Sequence, residues 1–451
     1  MYDPLKDYSP GIGALYPNSY WADNSTGEPT NHGVLQSDID VDVAIIGSGY
    51  TGLSCALHLA TEHNVKAHIL EANQPAWGCS GRNAGFILKS TGRKPYSTML
   101  KQWGTEVTHQ IYDEVCQAVD SVNQLIDKIS ANTKIDCEAQ TKGYLRVAHK
   151  PSMMRDLQAQ SELLKKEFNY STEILTSEEL KEQYFDSKNA FGAIRFPDGY
   201  GINPLKLAWG YQSLAQQSGV KIHTGSPVIR WEQANHKTIL HTPQGIVSAN
   251  KVVIATNGYT PNSFHPSVDN RTLPVLSQII VTQPLNDEQL GQINFQTSNV
   301  VMDTRALKYY FRKLPDNRIL FGGRGAISGK DAEDPYFANR LLKVLKENFP
   351  PLHSIGYDYS WSGWISISLD DLPHICQADE KGNVFYSAGY CGNGVSFSVQ
   401  AGKRLAEKVA GVELPDIPFY NKQLPVFPFA KFRRVGQWGY FHYGRVKDRW
   451  F

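Results

Sequence analysis

Val41-Asp42-Val43-Ala44-Ile45-Ile46 runs without a break into Gly47-Ser48-Gly49-Tyr50-Thr51-Gly52, and this junction decides the fold. The first six residues make an apolar run too short for a helix, as expected of a strand buried in a parallel sheet. Beyond the glycines, Leu53, Ala56, Leu57 and Ala60 recur at the spacing of one helix face. A second apolar run, Lys66-Ala67-His68-Ile69-Leu70, ends on Glu71, about two dozen positions after Gly47. The unit is strand, turn, helix, strand, which is the context G-x-G-x-x-G needs to bind a dinucleotide. Gly47 permits the tight turn, Gly49 lets the backbone approach a pyrophosphate, and Gly52 lets helix and strand pack closely. The helix N-terminus offers free N–H groups to the phosphates, and Glu71 can accept hydrogen bonds from a ribose. The motif alone admits NAD or FAD.

Working outward, residues 1–37 are rich in Gly, Pro, Asn, Ser and Tyr without periodicity, and are expected to form an extended arm over the surface. Residues 100–130 and 152–168 read as helices, Gly143 to Ala148 as a strand, and Lys251 to Thr256 as another buried strand. From 273 to 324 apolar and polar residues alternate, predicting an antiparallel sheet. Near the end, Gly389-Tyr390-Cys391-Gly392-Asn393-Gly394 precedes a helix with Val395, Val399, Gly402, Ala406 and Val409 on one face.

The 451 residues are 41% apolar and 20% charged, enough for a sizeable core and against disorder of the whole chain. Lys plus Arg is 45 against 44 Asp plus Glu, so global charge gives no argument for nucleic acid. The six cysteines form no CxxC pair and the 13 histidines no metal-ligand spacing, which speaks against a metal site or a disulfide framework. Neither a secretory signal nor a membrane-spanning run is visible. A cytoplasmic chain is expected, with peripheral contact to the inner face of a membrane left open by its tail.

Two further glycine-rich turns, Gly78-Cys79-Ser80-Gly81-Arg82-Asn83-Ala84-Gly85 and Ala255-Thr256-Asn257-Gly258, join the 389–394 turn in tipping the choice to FAD. Together with the first motif they resemble the D-amino acid oxidase-like superfamily of FAD oxidoreductases over about residues 38–411. Within it, Ser19-Tyr20-Trp21-Ala22, Ser80 to Asn83, Tyr309-Tyr310-Phe311-Arg312 and the basic aromatic tail look like gamma-glutamylputrescine oxidases, with bacterial L-amino acid oxidases and deaminases on the same plan. The resemblance implies an α/β (α+β) flavoprotein of two domains. A Rossmann-like FAD domain would be assembled from 38–135, 197–262 and 363–411, and an antiparallel-sheet substrate domain from 136–196 and 263–362. The arm 1–37 and the tail 412–451 would flank them. The FAD contacts it implies are Gly47, Gly49, Tyr50, Thr51, Gly52, Glu71, Ala72, Ser80, Gly81, Arg82, Asn83, Gly85, Val228, Ala255, Thr256, Gly258, Gly389, Gly392, Asn393, Gly394 and Val395. Arg82 could instead be a structural cation paired with a carboxylate. The cysteine that carries covalent flavin in sarcosine oxidases falls near Ile365, so dissociable FAD is expected.

The implied activity is oxidative deamination of an amino acid or amino-acid-derived amine, with hydride passing to flavin and molecular oxygen returning hydrogen peroxide. Such a substrate needs a cation for its carboxylate, ideally a bidentate arginine. Of Arg305, Arg312 and Arg324, Arg312 is favoured because alternation puts it on one strand face with Tyr310. Tyr310, Trp361 and Trp364 are the candidate aromatic wall, though ordinary core is an equal reading. The tail interleaves Lys431, Arg433, Arg434, Arg445, Lys447 and Arg449 with Phe429, Trp438, Tyr443, Trp450 and Phe451. That composition suits an interfacial anchor, a subunit contact, or packing onto the chain's own domain. Two other readings stay open: a membrane-associated dehydrogenase feeding quinone, and a non-catalytic flavoprotein. Oligomeric state is not legible.

Overall fold

The computed structural model describes residues 1–234, 236–378 and 383–450, so the tail's Phe451 lies outside the described residues. The strand Ile39–Ile46 pairs in parallel with His68–Leu70 on one side and Ile246–Ile254 on the other. Lys221–His223 and Val384–Ala388 extend this parallel core at its two edges. His374–Gln377, Lys237–His241 and Arg230–Ala234 add antiparallel strands, completing an eight-stranded sheet. Ala44 and Ile45 are both fully buried although they point to opposite faces, which is why the strand is continuously apolar from Val43 to Ile46, whereas in its first half the exposed Asp40 and Asp42 alternate with Val41.

The helix Tyr50–Glu62 begins directly after this strand, and the helix Gly394–Val409 packs along it. Gly402 makes that packing close: a Cβ there would lie 2.6 Å from both Ser54 Cβ and Thr51 O. At the starting ends of the two helices, the Thr51 hydroxyl bonds the Tyr390 hydroxyl at 2.6 Å. Two helix N-termini are thus brought to one edge of the sheet, where such folds bind ligands.

The second sheet also has eight strands, ordered Tyr357–Ser368, Thr272–Thr282, Ile319–Arg324, Tyr310–Lys313, Val300–Asp303, Tyr144–Val147, Ala193–Phe196 and Glu173–Leu175. It is antiparallel except where Val300–Asp303 runs parallel to Tyr144–Val147, so the expected antiparallel sheet is in fact mixed. One face packs on the helix Pro335–Asn348 through Leu341, Leu345, Phe311 and Phe321. The opposite face looks toward the helix ends of the first sheet. The boundary expected between 362 and 363 falls inside the strand Tyr357–Ser368, all of which pairs with Thr272–Thr282.

The N-terminal arm is not confined to the surface. Ser19 caps the short helix Tyr20–Asp23, and Trp21 is driven into the core, 1% exposed, with its indole N–H donating to Asn83 O at 2.9 Å. An aromatic side chain that finds an acceptor inside gains far more by burial than by lying on the surface. The tail folds as the helix Arg433–Trp450, anchored by Phe441 against Val275 and Leu307. Among the described residues no helix is long and apolar enough to cross a membrane.

Candidate active site

The glycine turn and its surroundings line one cleft. Gly47 has a positive φ of 100°, and a Cβ there would come within 3.1 Å of Ala255 O, so turn and strand end meet without room for a side chain. Gly49 is the N-cap of the helix Tyr50–Glu62 with no side-chain cap, leaving the first N–H groups toward the cleft; Tyr50 N–H donates to Ser80 Oγ at 3.0 Å. Glu71 closes the far side. Its Oε2 accepts from Ser48 N–H and Oγ–H at 2.8 and 2.7 Å, and its Oε1 from Asn73 N–H at 2.9 Å. Oε1 keeps a second acceptor position, whereas both positions of Oε2 are taken by Ser48. A tight glycine cradle, an uncapped helix start and an oriented carboxylate in one cleft fit the pyrophosphate and ribose of FAD.

Of the residues expected to touch FAD, Gly47, Gly49, Tyr50, Thr51, Glu71, Ala72, Ser80, Asn83, Val228, Ala255, Thr256, Gly258, Gly392, Gly394 and Val395 line this cleft. The others do not. Gly52 and Gly81 pack against the backbone of Gly47 and Ala76, Gly85 against Ile202 O, and Gly389 against Ser368, so they shape the cleft from behind. Arg82 and Asn393 line a neighbouring cavity instead. Arg82 has no carboxylate partner among the described residues: its Nε–H donates to Trp77 O at 2.7 Å and its guanidinium lies 4.3 Å from the Trp77 ring centre. Asn83 spends its side chain on its own turn, donating to Cys79 O and Ser80 O and accepting from Gly85 N–H.

The neighbouring cavity, about 840 Å³, shares Cys79, Asn83, Ile365, Gly392 and Val395 with the cleft, so the two adjoin there. Burial pushes the Cys79 and Cys391 thiols up to about 11, which keeps both from being reactive thiolates near neutral pH. The second sheet supplies the cavity's opposite wall through Tyr144, Arg146, Ser277, Ile279, Met302, Tyr310, Arg324, Gly363 and Ile365. Helix Met153–Phe168 and the tail helix, through Tyr440 and Lys447, close the sides. Tyr310 points in, its hydroxyl bonded to Ser277 Oγ at 2.7 Å; burial raises its pKa to about 12, so it stays protonated.

Arg312 does not line this cavity. It shares a face with Tyr310, as alternation requires, but lies toward the other end of the strand, where the 140 and 202 segments close over it. It is 1% exposed, donating to Gln140 Oε1 at 2.7 Å and Ile202 O at 2.6 Å, with Trp21 stacked at 5.3 Å. Burial pulls its pKa down, opposed by Glu138. Trp364 does not line it either. Gly363 and Ile365 face the cavity, so Trp364 faces the other side, donating to Tyr2 O at 2.8 Å beneath Arg434. Trp361 is packed under Arg82, donating to its carbonyl at 2.8 Å. Arg305 is ion-paired to Asp303. Of the three arginines considered, Arg324 is the one whose guanidinium reaches the cavity with no hydrogen bond or ion pair among the described residues. Burial and the nearby Arg93 lower its pKa, while Tyr310 opposes them.

Sequence reasoning missed Asn73, Trp77, Tyr259, Ser366 and Tyr390 in the cleft, and Arg93, Arg146 and Lys308 in the cavity. Tyr390 lay inside a quoted turn and could have been found there. Arg146 lies in the strand read at 143–148 and Lys308 directly before the quoted Tyr309–Arg312, but nothing in either stretch marked these two charges as facing a cavity. Comparison with known proteins agrees with the geometry. The FAD dependent oxidoreductase family, DAO, matches residues 42–408. Gamma-glutamylputrescine oxidoreductase of Escherichia coli (strain K12) is 31% identical over 418 residues, covering 92% of this chain and 93% of the relative. Glycine oxidase from Geobacillus kaustophilus superposes with a TM-score of 0.70 at 20% identity, covering 85% of this chain and 99% of that one. L-amino acid deaminase from Proteus vulgaris superposes with a TM-score of 0.69 at 17% identity, covering 87% and 99%. The last two likenesses are of fold.

Proposed function

The chain belongs to the DAO family of FAD dependent oxidoreductases, and on that premise we propose that it oxidises the C–N bond of an amino acid or amino-acid-derived primary amine. The product is an imine, which water hydrolyses to an oxo acid or aldehyde plus ammonia; oxygen is the proposed final acceptor and hydrogen peroxide the second product. When bound, FAD supplies the hydride acceptor. The observation that carries the reading is the Arg324 guanidinium, unpaired among the described residues, in a large cavity adjoining the glycine-lined cleft, a fork suited to a substrate carboxylate. Tyr310, held by Ser277, offers a hydrogen bond beside it. The sheet, the helix Met153–Phe168 and the tail helix keep bulk water from the reacting carbon. The start of the helix Gly394–Val409 places positive partial charge where Gly392 and Val395 line both spaces, which favours a developing anion there. The E. coli relative's name supports an amine with an attached amino acid as one substrate form.

The experiment is anaerobic titration of the purified flavoprotein with L- and D-amino acids and gamma-glutamylputrescine, followed at the flavin's visible bands. Bleaching by one class names the donor, and recovery on admitting air identifies oxygen as acceptor. If no amine bleaches the flavin, the reading fails. We propose that FAD is held without a covalent bond, supported by the neutral thiols of Cys79 and Cys391 and by Ile365 at the cleft; acid precipitation should release all of the flavin into the supernatant.

A second reading, a membrane-bound dehydrogenase feeding quinone, is favoured by one feature. Phe429, Phe432, Val435, Trp438, Tyr443, Val446 and Trp450 are each 52% to 84% exposed. On the tail helix, Val435, Trp438, His442, Val446 and Trp450 follow one another at helical spacing, so the outward face is apolar and aromatic apart from His442. Arg445 and Arg449 are exposed beside it, whereas Asp448 turns inward to bond Ala306 and Leu307 N–H. This face suits an anionic lipid surface. Slow reoxidation by air together with fast reduction of a soluble quinone would favour this reading over the oxidase.

A further inference from the structure

The cavity wall carries more positive charge than its own carboxylates neutralise. Lys89 is ion-paired to Asp198, Arg93 to Asp371 and Arg305 to Asp303. Arg82, Lys94 and Lys447 also line the cavity without a carboxylate partner among the described residues, but Arg82 is turned onto Trp77, Lys94 donates to Gln102 Oε1 at 3.4 Å and Lys447 is exposed. Arg146, Lys308 and Arg324 likewise have no carboxylate partner among the described residues; Arg146 donates only to the neutral Gln160 Oε1, at 2.9 Å. Asp156 is the remaining acidic residue on the lining, and it sits exposed at the rim.

These three cations come from separate elements. Arg146 projects from the strand Tyr144–Val147 and Arg324 from the end of Ile319–Arg324. Lys308 sits in the loop between Val300–Asp303 and Tyr310–Lys313. That loop is fixed from both sides, because Asp303 accepts from Tyr309 N–H at 3.1 Å while Asp448 of the tail helix accepts from Ala306 and Leu307 N–H at 2.6 and 3.1 Å. Burial first, and then Arg146, Arg324 and Arg93, bring the Lys308 pKa down to about 7 against the opposing pull of Asp303. Gathering like charges in a cavity of low dielectric is costly, and the cost is recovered when an anion joins them. One carboxylate cancels one unit of charge, so the three cations keep an excess that a second carboxylate reduces.

We propose that the substrate carries two carboxylates, as a dicarboxylic amino acid does, one held by Arg324 and the second by Arg146 together with Lys308. The proposal rests on the amine-oxidation reading and narrows it, since a substrate with a second positive charge meets repulsion here.

The test uses the holoenzyme and the perturbation of its flavin spectrum by unreactive acids. Succinate and glutarate are expected to bind at least about tenfold more tightly than acetate, and a diamine such as putrescine not to bind measurably. Lys308→Met and Arg146→Met should each bring the dicarboxylate to within about threefold of acetate, whereas Lys308→Arg should keep the difference. Raising the pH through 7 should weaken succinate more than acetate, because Lys308 loses its proton while the arginines keep theirs. Equal binding of succinate and acetate, or an unchanged ratio in Lys308→Met, overturns the proposal. In the amine titration, faster bleaching by a monocarboxylic amino acid or gamma-glutamylputrescine than by aspartate or glutamate of either hand also overturns it while leaving amine oxidation standing. If no amine bleaches the flavin but succinate still binds preferentially, the reaction reading fails and the charge assignment survives.

Discussion

Gly49 leaves no room for a side chain: a Cβ there would sit 2.9 Å from Ser80 Oγ, at the start of the helix Tyr50–Glu62. Gly49→Val is expected to abolish FAD retention, read as the ratio of flavin to protein absorbance after gel filtration, and a normal ratio would refute the assignment. Arg312 is expected to behave differently from Arg324. Arg312→Met removes the donors to Gln140 and Ile202 O and should lower stability by about 1–3 kcal/mol, with KM for carboxylate substrates little changed. Arg324→Met should raise that KM by about 10- to 100-fold with the melting temperature nearly constant, as loss of a charged hydrogen bond predicts. Steady-state kinetics and thermal scans of the two variants separate the roles. At this scale the sequence disclosed strand faces but not depth. Alternation correctly put Tyr310 and Arg312 on one side, yet nothing in it showed that segments near 140 and 202 would seal Arg312 off.

Helices and strands explain more of the site than single residues do. The strand–turn–helix unit at 41–71 was legible because a dinucleotide turn imposes glycines at fixed spacing; Gly47 and Gly49 line the cleft, and Gly52 packs against Gly47 behind it. The glycine-rich turns at 78–85 and 389–394 were legible for the same reason. The cavity wall was not, because its charges stand on short elements whose neighbours are far away in sequence: Val300–Asp303 meets Tyr144–Val147 in parallel. The tail helix belongs to this wall on one side and is open on the other. Replacing Trp438, Val446 and Trp450 by serine should leave the amine-driven bleaching of the flavin intact. It should also remove co-sedimentation with phosphatidylserine-containing vesicles, which the unaltered protein should show and neutral vesicles should not support. Absence of binding by the unaltered protein would instead point to a self-association face, which sedimentation velocity would reveal.

The molecule as a whole carries opposing titrations. His374 donates from both ring nitrogens, to Lys422 O at 2.9 Å and Asp370 Oδ1 at 3.1 Å; although burial opposes it, these bonds raise its pKa to about 9. A raised pKa gives stability that is complete below about 6.5 and is lost as pH climbs through 9. His149 and His223 are pulled down to about 4, by burial first, then by Arg305 for one and His68 for the other. Their contribution is complete above about 6.5 and is lost as pH falls toward 4. Melting temperature should therefore peak near pH 6.5 and fall on both sides, and His374→Gln should flatten the alkaline limb. A profile unchanged by that substitution would remove His374 as its cause. The Thr51–Tyr390 bond, with the close approach at the middle of the second helix, Gly402, behind it, holds the starting ends of two helices at a constant separation before any ligand arrives. The protein thereby works as a gauge, because a ligand that spans both ends collects a second interaction at high effective concentration. Adenosine diphosphate or riboflavin alone reaches one end and gains no such advantage, so neither half should displace the whole.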